Sequence, residues 1–500
     1  MRSQSNRLQP FQSPSTLRAA CHITALGLAI AGFAPLGSAQ WQATSLHPAG
    51  AQASHANDGD PGGQSGYALI AGAKHAYVWS GFSGPSVDLH PAGATASEAF
   101  DSHSGLQVGT AMIGGVNVAS TWNGTAGSWS NLNPPGMISS ALYGGDLGAQ
   151  AGFVEDGIVG VRAALWHGSA ASYVDLSPAN SNGSAVWAMR GIMQAGQATI
   201  IGQSTHAGYW IGSPNTWTDL HPTGAQLSQC WGTDGVQQVG RAILNGSDHP
   251  FVWSGSAASG VDLLPANFIV GEARGVDAGE QVGYVGDISG TRACLWSGSA
   301  SSRVDLELAL PMNFRASKAS AIWHSGGTTF VLGTARNSSA GNREEVILWR
   351  RLSLTIYCTA KVNSLGCSPS MAFFGNSSAS NSNVFVVRAD LVQNHKPGIL
   401  LYSNTGRTAI PFSGGTLCLT GPLRRVSGLD SGGLPSGNNC SGAFSVDMNA
   451  FRAGALGGNP AAYLAVAGTL VDCQFWGRDS GFAAPNNTQL SNAMEFEIGP

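Results

Sequence analysis

The chain has 500 residues, only 10% of them charged, with a formal net charge of −4 and no basic cluster. That balance excludes nucleic-acid binding as its main role, because neutralising phosphates needs Lys and Arg concentrated on one face. Glycine accounts for 69 residues, about twice the usual share, and Gly with Ser suits many tight turns between short strands rather than long helices.

At the N-terminus, Arg2, Arg7 and Arg18 flank an apolar run, "AACHITALGLAIAGFAPLG", which ends in Gly37-Ser38-Ala39 ahead of Gln40. A basic start, a short apolar core and a small-x-small site predict a removable signal peptide over 1–39. The run is too short for a comfortable membrane span and contains Pro35. The expectation is therefore a protein secreted or held at the cell surface, with no transmembrane segment once the signal is removed.

Beyond the signal, a Trp closing an apolar strand recurs at Trp79, Trp122, Trp166, Trp210, Trp253, Trp296 and Trp349. The spacing of 43 or 44 residues, with one longer last interval, lies in the range of propeller blades. Each unit divides into four short pieces: a small-residue strand such as "SEAFD" (97–101), a Gln-x-Gly strand such as "QVGTAMI" (107–113), the Trp strand, and a "VDLHP"-type strand ended by proline. Residues 41–48, "WQATSLHP", form only a last strand, and the final unit stops after its Trp strand, "VILWRR" (346–351). One N-terminal strand completing the last blade would remove an exposed edge. The prediction is an all-β chain with a closed seven-bladed β-propeller over 40–351.

The pieces "HAYVW" (75–79), "HAGYW" (206–210) and "HPFVW" (249–253), each following a Gln-x-Gly strand, resemble the HAF-type extracellular repeats of exported bacterial proteins. "VASTW" (118–122) and "RAALW" (162–166) depart from that pattern. The resemblance implies a propeller-like fold outside the cytoplasm and no particular activity.

From Leu352 onward the Trp period stops. Alternating runs such as "NVFVVRADLV" (383–392) and "AYLAVAGTLVDC" (462–473) predict a β-sandwich-like domain over 352–500. Cys358, Cys367, Cys418, Cys440 and Cys473 cluster here with His395 as the nearest histidine, which points to a disulfide framework rather than a metal site. Five is odd, so one thiol is free or pairs elsewhere. The segment "YCTAKVNSLGCSPS" (357–370) looks like a C-terminal domain that recurs on large exported bacterial proteins. Copies of that domain often end in Cys-Pro, and the ending Ile498-Gly499-Pro500 would account for the odd count.

No complete catalytic set is present. Asp60, Asp146, Asp234 and Asp277, with His103 in the same register, read as Asp-plus-Gly turns rather than a cation ring. His47, His90 and His221 fall in separate units, too far apart for zinc. Ser431 in "LDSGGLP" (429–435) has no general base in context and reads as a turn. The candidate ligand-binding residues are those that break the repeat: Trp129, Trp187, Trp217, Trp231 and Trp323, with Glu98, Glu155, Glu272 and Arg274. No cofactor, metal or catalytic residue is assigned. The leading expectation is a non-catalytic exported propeller that binds a glycan or a surface protein. Its rivals are a polysaccharide hydrolase or lyase built on the non-repeated acids, and a structural or assembly protein.

Overall fold

The computed structural model describes residues 41–81, 85–158, 160–325, 328–380 and 383–499. The signal-peptide expectation over 1–39, with Cys21, and the terminal Pro500 lie outside them. Among the described residues, the strands between 41 and 351 form seven four-stranded antiparallel sheets, a seven-bladed β-propeller. Blades 1 to 6 follow chain order, from the inner strand Ala53–Asp60 of blade 1 to the outer strand Val304–Asp305 of blade 6. Blade 7 is composite: Phe314–Ser325, Thr328–Asn337 and Arg343–Arg351 are completed by Trp41–Ser45, paired antiparallel with Arg343–Arg351. The offset of the repeat in the sequence thus becomes the closure of the ring.

The repeated tryptophans are scaffold. All seven, from Trp79 to Trp349, are at most 2% exposed. Each packs among side chains of adjacent blades, as Trp122 does against Ala76, Leu89 and Ala99, so the indoles add a large apolar area between sheets. The glutamine of the Gln-x-Gly strand fixes the loop after the Trp. Gln107, Gln150 and Gln194 accept the backbone N–H of Gly124, Gly168 and Gly212 at 2.8–2.9 Å.

Polar repeats join one blade to the next. A buried serine on the inner strand accepts the backbone N–H of the preceding blade's Trp strand: Ser97 from Ala76, Ser140 from Ala119, Ser184 from Ala163, Ser228 from Ala207 and Ser317 from Ala293, at 2.8–3.0 Å. Ser54 of blade 1 does the same for Val346 of blade 7 at 3.0 Å, which closes the ring. The junction between blades 5 and 6 departs from this in three correlated ways. Pro250 has no N–H to donate, Gly271 replaces the serine, and a Cβ there would come within 3.1 Å of Pro250 Cδ.

The histidines that share the register after Leu serve the same joint. His47, His90 and His221 lie with Nδ1 2.8 Å from Ser54, Ser97 and Ser228, and with Nε2 3.0–3.1 Å from a backbone carbonyl. Nε2 must carry the proton, so Nδ1 accepts from the serine hydroxyl, which is thereby free to accept from the N–H. Asn133 and Glu307 hold Ser140 and Ser317 in the same way. Where the serine is missing, the position is Leu264.

The strands after 351 form a five-stranded sheet, a three-stranded sheet and a hairpin, Arg407–Phe412 with Gly415–Leu419. Phe385, Val387 and Phe444 from the three-stranded sheet pack on Leu400, Phe475 and Phe496 from the five-stranded one, giving the sandwich core. Cys358 pairs with Cys418 and Cys367 with Cys440; Cys473 is free and buried in that core. Glu497 forms an ion pair with Arg350 of blade 7, and Asn376 Nδ2 donates to the Trp41 carbonyl at 2.9 Å. Among the described residues, no helix is long and apolar enough to cross a membrane.

Two predictions follow from the joints. Ser54→Ala leaves the Val346 N–H buried without its partner and should cost about 1–3 kcal/mol, read as a lower urea midpoint. Burial holds His47, His90 and His221 below the usual histidine range. A value depressed on folding gives stability that is present above the unfolded value of about 6.5 and lost as pH falls through the folded one. The melting temperature should therefore drop between about pH 7.5 and 5. The triple variant H47N/H90N/H221N, which installs the residue found at 133, should flatten that slope.

Candidate functional site

The site begins with a missing Cβ. At the Gln-x-Gly glycine of blades 1 to 6, for example Gly109 and Gly240, and at Gly333 of blade 7, a Cβ would overlap the carbonyl oxygen of the neighbouring inner strand, Glu98, Gln229 or Lys318. Without it the inner strand approaches closely and bulges. The register shifts between Ala99 and Asp101, and between Cys230 and Gly232, leave Phe100 and Trp231 as the extra residues. A β-bulge re-aims the side chain it inserts. Every blade bulges at the equivalent place, and the seven extra residues are Asn57, Phe100, Tyr143, Trp187, Trp231, Arg274 and Ser320. All seven line one cavity of about 340 Å³, the central channel of the ring.

This ring is two-sided. Blades 2 to 5 contribute four consecutive aromatics. Phe100 stacks on Tyr143 at 4.3 Å between centroids, Tyr143 meets Trp187 edge-on at 4.7 Å, and Trp187 meets Trp231 at 5.4 Å. Blades 6, 7 and 1 contribute Arg274, Ser320 and Asn57. The Arg274 guanidinium lies 4.8 Å from the Trp231 ring centroid and ion-pairs with the buried Glu272. Trp231 is framed from its own blade by Arg241, which donates to Gln229 at 2.7 Å, Asp248 at 2.9 Å and Glu272 at 3.4 Å. Burial, with Glu98 nearby, pushes the Tyr143 hydroxyl up to about 12, so it remains a neutral donor.

Toward the strand hairpins the channel meets a charged end. Asp58, on the channel wall, and Asp101 of the next blade share a hydrogen bond. Burial and the neighbouring Asp58 raise the Asp101 carboxyl well above the usual range, while Arg190 partly offsets the burial of both. Asp101 also accepts the Gly145 N–H at 2.8 Å. The turn aspartates stand here as well. Asp60 accepts Gly62 and Gly63 N–H within its own turn and Ser104 N–H from the next blade, and Asp146 accepts Gly191 N–H in the same manner. His103 bridges Asp60 at 3.2 Å and Asp146 at 3.4 Å. Among the described residues, no group of three or more His, Cys, Asp or Glu is placed to hold a metal ion.

The structure separates the residues singled out by pattern-breaking. Trp187, Trp231 and Arg274 share the channel. Trp129 packs on the core between blades 1 and 2, its Nε1 donating to Ser120 at 3.0 Å. Trp217 lies tilted against Trp210 at 4.5 Å between ring centroids, and Trp323 is 6% exposed against Phe330. Glu98 ion-pairs with Lys74 at 2.7 Å and accepts from Asn57, and Glu155 accepts from Ser139 at 2.9 Å at a strand end. Glu272 is held between two arginines.

Phe100, Tyr143, Asn57, Ser320 and Asp58 escaped the sequence reading, because single residues within a strand look like ordinary core or turn positions. A signal existed: in six blades the channel residue lies nine positions before the Gln-x-Gly glycine, at a position that is Asn, aromatic or Arg. A second cavity of about 430 Å³ lies beside the hairpin after 406. Its Lys361 is already engaged by the carbonyls of Ser413 and Asn486 at 2.7 and 2.6 Å.

No family model matches the chain, and no curated protein matches it. Among solved structures, it is similar to a puromycin hydrolase at 12% identity and TM-score 0.41, covering 66% of this chain and 57% of that one. It is similar to an oligogalacturonate lyase in complex with manganese at 10% identity and TM-score 0.40, covering 63% and 98%. It also matches TolB from Acinetobacter baumannii at 13% identity and TM-score 0.32, covering 41% and 52%. The chain thus spans little more than half the length of the first of these.

If the glycine makes the bulge, Gly240→Ala must push the inner strand away from the second strand. The expected cost is about 3 kcal/mol, with a red shift in tryptophan emission as Trp231 leaves its place, read by denaturant unfolding followed by fluorescence.

Proposed function

We propose that this protein is an exported, non-catalytic β-propeller of HAF-type repeats that binds a glycan in its central channel. The observation that carries the reading is the run of four aromatic rings on consecutive blades, converging on one cavity from positions the repeat leaves free to vary. Flat aromatic faces stack on the apolar faces of sugar rings. A cavity of about 340 Å³ falls at the lower end of small-ligand sites, roughly 300–1,000 Å³. Export is supported by the two disulfides together with the signal-like N-terminus.

The candidate acids favour binding over cleavage. Glu98 and Glu272 are each engaged by cations, whereas glycoside cleavage needs one carboxyl free to donate a proton and another to act as base or nucleophile. A hydrolase or lyase remains the rival reading and makes a different prediction in the same tube.

The test is a glycan array probed with the mature chain, followed by titration of the best binder and assay of reducing-end release. Trp187→Ala and Trp231→Ala should each weaken binding at least about tenfold, the order expected for loss of a central aromatic contact. Trp129→Ala and Trp217→Ala should leave affinity unchanged. Release of reducing ends that disappears in Glu98→Gln or Glu272→Gln would overturn the binding-only reading.

A further inference from the structure

The aromatic half of the ring explains affinity for a sugar face but not the opposite half, where Arg274 and Lys318 stand on blades 6 and 7. The described residues lining the channel include three permanent cations, Arg190, Arg274 and Lys318, against the single acidic residue Asp58. In a chain with only 10% charged residues, that concentration stands out.

The three cations are not equivalent. Arg190 faces the charged hairpin end, where it contacts His103 and lies near Asp58 and Asp101. Arg274 is half-committed, with Glu272 on one side and the Trp231 ring below. Lys318 lies two residues before the bulged Ser320 on the inner strand of blade 7, and its side chain is exposed. Its Nζ sits 4.4 Å from the Tyr284 ring centroid and forms no ion pair or hydrogen bond among the described residues. The ring of Tyr284 keeps the ammonium at the channel wall by a cation–π contact without neutralising it. This is a cation held in place with no counter-ion, facing a cavity whose other wall is aromatic.

We propose that the ligand is an acidic saccharide, a uronic-acid unit whose ring stacks on the Trp187–Trp231 wall and whose carboxylate pairs with Lys318 and Arg274. This rests on the glycan reading above and adds the charge of the ligand. The hand-off is chemically simple: a carboxylate arriving at Lys318 completes a charge-assisted hydrogen bond to an ammonium already held over Tyr284. At Arg274 it shares a guanidinium that has donors to spare beyond those used on Glu272.

The test titrates the mature protein with a panel of glucuronic-, galacturonic- and mannuronic-acid oligomers, their methyl esters, and a sulfated glucan oligomer of equal length. The expected result is that at least one uronate binds, that its ester binds about tenfold more weakly, and that uronate affinity falls as salt rises. Lys318→Met, which keeps the stem over Tyr284, should weaken the uronate at least about fivefold, leave the ester unchanged, and be rescued by Lys318→Arg. Equal affinity for acid and ester, with loss of both in Trp231→Ala, would overturn the acidic ligand and leave the glycan reading standing. Tighter binding of the sulfated oligomer than of any uronate would overturn the carboxylate. Failure of every oligomer and of the neutral array together would overturn both readings.

Discussion

The propeller depends on a close approach that only glycine permits. At the second strand of every blade the side chain is reduced to hydrogen, because the neighbouring inner-strand carbonyl occupies the place where a Cβ would stand. The inner strand responds by carrying one residue more than its partner. A regular strand would alternate its side chains between the two faces of the sheet, and both faces here are packed against adjacent blades. The bulge breaks the alternation once per blade and turns a single side chain off both faces and into the axis. Seven blades therefore deliver seven side chains to one cavity, and the backbone dictates their direction while leaving their identity open.

Most of the remaining polarity of the repeat is consumed by the scaffold. The His of the HAF-like strand pairs with the Asp of the following strand in each blade that carries both: His75 with Asp88, His206 with Asp219 and His249 with Asp262, at 2.7–2.8 Å. Blade 3 replaces the histidine by Arg162, which reaches Asp175 at 3.1 Å. The same aspartates use their other oxygen to accept a backbone N–H two residues on. Such pairs are part-exposed and individually weak, but they align the outer strand, which is only two or three residues long. The inter-blade serine is the stronger device because it lies in the dry interface. Its coordinated loss between blades 5 and 6, where Pro250, Gly271 and Leu264 occur together, shows that donor, acceptor and orienting residue behave as one unit.

This division explains what the sequence made legible. Blade number, strand order and the N-terminal closure follow from a buried Trp at a fixed period and from a repeat cut out of phase, both of which are one-dimensional signals. The turn role of Asp60 and Asp146 was readable for the same reason, although their second bond, to the next blade, was not. The channel was hidden because a bulge shifts the side-chain alternation by one residue without requiring any particular residue at the bulged position. Phe100 and Tyr143 resemble core, and Trp129, Trp217 and Trp323 resemble surface aromatics while being packed against the blades. Pattern-breaking singled out Trp187, Trp231 and Arg274, which line the channel, but the period needed to group them with Asn57 and Ser320 is the bulge register, not the Trp register. The cysteine cluster announced disulfides; which partner each takes depends on the hairpin and loop that carry Cys418 and Cys440 across the sandwich.

The two ends of the channel differ in a way that orients any ligand. At the hairpin end the charges answer one another: Asp58 and Asp101 share a hydrogen bond, burial and mutual repulsion raise the Asp101 carboxyl, and Arg190 stands near both. Arg190 faces both carboxyls and His103 ties Asp60 to Asp146, so the charges at that end already have partners and are closely hydrogen-bonded. Toward the start of the inner strands the account does not balance internally. His55 is held by Glu344 at 2.7 Å and Glu98 by Lys74, yet Lys318 has only the face of Tyr284. An anionic group entering the channel gains most from this unmatched charge and little from the compensated end. For the acidic saccharide proposed above, the charged group would lie beside blades 6 and 7 and the ring against the aromatic wall of blades 4 and 5.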